Sequence, residues 1–125
     1  MTDGIEAIDE KGDKKQIGTS ALAKELMKSP IMRDHFSLQQ DMIKFAVCVA
    51  LANHLDPITD RSTHDNAQRT IDLDPEGDLK FLVESYQREV TAPYRVAESL
   101  AEAGFRFIDQ NIRNGRTLED LIFPK

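Results

Sequence analysis

Met42, Ile43, Phe45, Ala46, Val47, Val49, Ala50 and Leu51 follow one another with scarcely a polar side chain between them. Just ahead, Ser37-Leu38-Gln39-Gln40 has the form of a capping box, in which the serine hydroxyl accepts from an amide three residues on and the glutamine reaches back. Asp56-Pro57 closes the segment. The pattern predicts a helix over about 38–54. A surface helix carries one apolar stripe, whereas this one is apolar nearly all round and needs cover on several sides. In a chain with few other helices, a second copy is a natural source of that cover. The expected interface comprises Met42, Phe45, Ala46 and Val49 here, with Ala97, Ala101, Gly104 and Phe105 from a later helix.

The remaining pattern is also mainly helical. Residues 1–16 mix charges with few apolar groups and read as a disordered tail; residues 17–125 read as one helical domain. A short helix is expected over 19–28, capped by Thr19 or Ser20 and ended at Ser29-Pro30. Arg69 to Leu73 alternates polar and apolar and predicts one short strand, paired across a subunit interface or with another extended piece. Leu79, Leu82, Val83, Tyr86 and Val90 recur at helical spacing behind an acidic start at Asp74–Asp78. Pro93 opens a long helix to about 112, which Asn114-Gly115 ends. Ala97, Ala101 and Gly104 on it are small, so another helix can approach there. Thr117 caps a last short helix. The expected fold class is mainly α: a compact bundle of four to five helices with at most one or two short strands.

Composition narrows the function. The net charge of -6 works against a sequence-independent grip on nucleic acid, which needs clustered cations. The lone cysteine, Cys48, lies in the apolar run and reads as a small core residue, consistent with a reducing, cytoplasmic compartment. The N-terminus shows no export signal, and the apolar run 45–52 is far shorter than the roughly 20 residues of a membrane span.

Each candidate chemistry has a plainer reading beside it. Asp72 to Leu79 resembles the start of a calcium loop, but its twelfth position is Val83, and an acidic helix start explains the same residues. His35, His54 and His64 do not pair at helical spacing, and His64-Asp65 reads as a solvated loop. Glu98 and Glu102, flanked by Arg95 and Arg106, read as a solvated salt-bridge face. Arg95, Arg106 and Arg113 can share one helix face as a phosphate-contacting row, or serve solubility among Glu98, Glu102 and Asp109. No residue set calls for a cofactor, a metal or a catalytic assignment.

The run Lys44 to Leu51, the segment Thr70-Ile71-Asp72-Leu73, the helix from Asp78 to Glu89 and the pattern Leu100-Ala101-Glu102-Ala103-Gly104-Phe105 follow in an order similar to small DNA-phosphorothioation accessory proteins of the DndE type. The resemblance covers about residues 38–113. It implies a helical protomer related to ribbon-helix-helix proteins, a homo-oligomer, and an accessory role in a DNA-modification or phage-defence system. Such proteins tend to contact DNA through lysines. This chain has only Lys44 and Lys80 between residues 29 and 124, so no DNA-contacting residue carries over.

The expected function is therefore that of a non-catalytic oligomeric accessory or scaffolding protein. Its partners would be copies of itself or other protein subunits, without a membrane. One alternative is a nucleic-acid-binding regulatory protein that uses Arg95, Arg106 and Arg113. Another is a small metal-dependent enzyme, for which residues 72–78 are the lead.

Overall fold

The computed structural model describes residues 13–60, 64–87 and 90–122. Within them the chain forms strand β1 (Gln16–Thr19), helices α1 (Ala21–Met27), α2 (Pro30–Arg33) and α3 (Gln39–Ala52), strand β2 (Asp65–Arg69), and helices α4 (Thr70–Leu73), α5 (Asp78–Tyr86), α6 (Pro93–Arg113) and α7 (Leu118–Ile122). The fold is mainly α, as the sequence pattern predicts. No helix among the described residues is long and apolar enough to cross a membrane.

The core is built where α3 crosses α6. Met42, Ile43, Ala46, Val47, Val49 and Ala50 are buried on α3, and Ala97, Leu100, Ala101, Phe105 and Ile108 are buried on α6. Burying a large aliphatic side chain stabilises by about 1.5–3 kcal/mol, so this contact dominates the fold. Gly104 permits its closeness, because a Cβ there would run into the Ala46 backbone. Phe45 is half-buried, its ring 5.0 Å from that of Phe36.

These contacts correct the expectation that a second copy must cover α3. The small face of α6 does receive another helix, but that helix is α3 of the same chain. The predicted interface residues Met42, Ala46, Val49, Ala97, Ala101, Gly104 and Phe105 are all buried within the protomer. Cys48 is a second correction: it is exposed on the side of α3 turned away from α6. Neighbouring atoms still desolvate its thiol enough to push the pKa up.

Local signals gave way to tertiary contacts at three more places. The capping box does not form: Leu38 is the N-cap of α3, in extended geometry and without a side-chain cap bond. The strand lies at Asp65–Arg69, and Thr70–Leu73 is a helical turn. The strand pairs antiparallel with β1 of its own chain, Gln16 opposite Arg69 and Thr19 opposite Asp65, with an irregularity between Ile17 and Gly18. The fold also begins earlier than the expected boundary at 17, since Asp13 and Lys14 are buried and belong to it. The rest of the expected tail, residues 1–12, lies outside the described residues.

Other caps follow their side chains. Ser20 accepts from the Ala23 amide at 3.2 Å at the start of α1. The Asp74 carboxylate accepts from Leu79 and Lys80 amides at 2.9 and 3.0 Å at the start of α5, where Gly77 turns with φ 76°. At α7, Thr117 and Asp120 bond reciprocally, and Asn53 donates to the Leu121 carbonyl at 2.7 Å, fastening α7 to α3.

Candidate functional site

The chemistry-bearing side chains gather where the β1–β2 ribbon lies on α6. Glu98, Glu102 and Arg106 recur every four residues on α6 and therefore share one side of it. Glu98 serves the first strand: its Oε2 accepts from the Gly18 amide at 2.6 Å and lies 3.4 Å from Lys14 Nζ. Glu102 serves the second: its Oε2 accepts from Arg106 Nε at 2.7 Å, and its Oε1 lies 3.7 Å from Nε2 of His64, the residue just before β2. Two carboxylates one helical turn apart thus each hold one strand.

Asp13 completes the attachment. Its carboxylate accepts from the Tyr94 and Arg95 amides at 3.1 and 3.2 Å, at the N-terminus of α6, where the helix dipole favours an anion. Tyr94 in turn donates its hydroxyl to Asp74 at 2.8 Å, linking α6 to the cap of α5. Burial and the neighbouring Asp74 carboxylate hold the Tyr94 phenol well above its ordinary pKa. Burial pulls the Lys14 ammonium below its ordinary pKa, and the Glu98 carboxylate opposes that pull.

The cluster is closed. The side chains of Lys14, Glu98 and Glu102 are each 1% exposed and that of His64 is 2% exposed. Among the described residues Thr19 Oγ1, His64 Nδ1 and Glu102 Oε1 are buried without a hydrogen-bond partner, and a buried polar atom left so costs about 1–3 kcal/mol. A carboxylate–imidazole pair is a donor set suited to general acid–base chemistry, but only where a substrate can reach it. In this arrangement the cluster braces the ribbon against the helix.

His64, Glu98 and Glu102 correct the readings of a solvated loop and a solvated face. A signal was present in the sequence. Ala97, Ser99, Ala101 and Ala103 flank the two glutamates, so that stretch of α6 has no long polar side chain beyond the glutamates themselves. The arginine row is exposed, but Arg106 is held by Glu102 and Arg113 by Asp109 at 2.9 Å. Arg95 is exposed at the start of α6. In the calcium-like segment, both oxygens of Asp74 are engaged by amides and by Tyr94. Among the described residues no group of three or more His, Cys, Asp or Glu is placed to hold a metal ion.

A second feature lies on the outside. Ile71 on α4 is 68% exposed, and on α5 Phe81, Leu82 and Tyr86 are 72%, 37% and 47% exposed. The helical period of α5 turns Leu79 and Val83 into the core and leaves Phe81 on the opposite side. The helix thus has two apolar faces, of which the fold uses one. No protein-family model matches the chain, no curated protein matches its sequence and no solved structure matches its fold.

Proposed function

We propose that this chain is a non-catalytic accessory protein that works by holding another protein on the outer face of α4 and α5. The observation that carries the reading is the outward placement of Ile71, Phe81, Leu82 and Tyr86 on two consecutive helices. Of the six large apolar side chains exposed among the described residues these four fall within one short stretch of chain, and exposed apolar groups brought near one another mark association more than scattered ones do. Aromatic residues are also the side chains that most often anchor protein interfaces. The closed ionic cluster fits the same reading, because it stiffens the body that presents this face. The order and spacing shared with DndE-type accessory proteins make a DNA-modification or phage-defence assembly the setting in which to look.

A photo-crosslinking side chain placed at Phe81, Leu82 or Tyr86 tests the reading in cells. A discrete protein adduct is expected from these positions and not from Arg113 on α6. The absence of any discrete adduct from all three removes its basis.

A further inference from the structure

We infer that the α5 face receives a basic amphipathic helix of a different protein, and not a second copy of this chain. The inference rests on the reading of this face as a docking surface for protein and names the chemistry of what docks there. Successive residues of α5 turn by about 100°, which places Asp78 and Ser85 between Phe81 on one side and the Leu82–Tyr86 pair on the other. An acid therefore sits within the apolar strip, and Glu76 and Glu84 lie on the same short stretch of chain. Among the described residues none of Glu76, Asp78 and Glu84 has an ion-pair partner. Asp72, by contrast, is held by Arg69 at 2.8 Å. Lys80 is the single basic residue of α5.

A strip whose apolar side chains are interrupted by Asp78 and bordered beyond Phe81 by Glu84 complements a helix whose apolar stripe carries lysine or arginine within it and along its edge. The charge distribution also decides against other occupants. A second copy would bring acid against acid, in a chain that already carries a net charge of -6. Nucleic acid and an anionic lipid surface are repelled for the same reason.

The test uses the full chain and two synthetic probes, an amphipathic leucine–lysine helix and its leucine–glutamate counterpart, followed by fluorescence anisotropy. The basic probe is expected to bind, the acidic probe not. Affinity for the basic probe should fall about tenfold or more in Phe81→Ala/Tyr86→Ala. It should fall separately in Asp78→Asn/Glu84→Gln, and the wild-type affinity should weaken with salt. All four positions are exposed, and circular dichroism checks that the variants keep the fold. Equal binding of the basic probe to wild type and to Phe81→Ala/Tyr86→Ala overturns the inference, because attraction to the overall charge then suffices. A concentration-dependent dimer in sedimentation that dissociates in the same variant also overturns it, while leaving the face a protein-docking surface. If the wild type binds neither probe and does not self-associate, both readings fall.

Discussion

Gly18 donates its amide hydrogen to Glu98 across 2.6 Å, and the same carboxylate oxygen lies 3.4 Å from the Lys14 ammonium. A residue eighty positions away in sequence thus anchors the first strand. Glu98→Gln keeps the shape but removes the charge that answers a buried lysine. The expected loss is about 3 kcal/mol, read from urea denaturation, because an unpaired buried charge is costly. Removing the lysine's charge as well, Lys14→Met with Glu98→Gln, should restore most of that loss, because the glutamine oxygen can still accept from the Gly18 amide. A loss well under about 1 kcal/mol in Glu98→Gln would show that the pair contributes little.

Three glycines should respond to alanine in a graded way. At Gly104 a Cβ would meet the Ala46 backbone, which belongs to the facing helix and cannot step aside, so Gly104→Ala should cost the most, about 3 kcal/mol or more. At Gly18 a Cβ would come within 2.9 Å of the Asp65 carbonyl and 3.2 Å of the Glu98 carboxylate, so Gly18→Ala should cost about 1–3 kcal/mol. At Gly77 there is open space, and only the left-handed backbone objects, for about 1 kcal/mol. Denaturation midpoints give the order directly, and a reversal of the first and third would contradict the close crossing of α3 and α6.

Tyr94 supplies an alkaline signature. Its phenol pKa is raised in the folded protein above the ordinary 10.0, so its stabilising contribution is complete below that value and is lost as pH rises beyond it. Tyr94→Phe removes the hydroxyl bonded to Asp74 and should cost about 1 kcal/mol near neutral pH. The difference between wild type and variant should stay constant up to about pH 9 and shrink above about pH 10. Guanidinium denaturation across that range measures it, and a difference that grows with pH would reverse the sign argued here.

Cys48 should label fully in the native protein, because the thiol is exposed. The reaction should run more slowly than with a free cysteine and accelerate with pH, because partial desolvation disfavours the thiolate. Stoichiometry and rate with a maleimide or a disulfide reagent check both points. Labelling only after denaturation would return Cys48 to the core.

The long helix was the most legible part of the sequence. Pro93 and Asn114-Gly115 bracket it, and it runs from Pro93 to Arg113. Its core face is also as the spacing indicates, since helical periodicity is a local property. The covering of α3 was not legible, because whether Gly104 meets Ala46 of the same chain or of another depends on how the connectors fold back. Nor was the strand. Asp65–Arg69 has a poor composition for a strand and exists because Gln16–Thr19 pairs with it and Lys24 holds Asp65 at 2.8 Å. The ionic cluster was hidden for a different reason. Acid and arginine at four-residue spacing look the same on a wet helix face as under a ribbon, and only the small residues around Glu98 and Glu102 hinted at the difference. The outer face of α5 was not legible, because Leu82 and Tyr86 share helical spacing with Leu79 and Val83, and the sequence does not say which side of so short a helix the body will take.

The ribbon's dependence on α6 sets the order in which the molecule can be finished during synthesis. Residues 13–19 are made well ahead of their seat, since the carboxylates that receive Lys14, Gly18 and His64 follow more than thirty positions after β2 begins. At about 5–20 residues per second, the first strand waits several seconds for its seat. A nascent chain halted before residue 98 therefore holds a buried-to-be lysine and an unpaired strand edge in the open, and such stalled chains should be the form of this protein that chaperones and proteases engage.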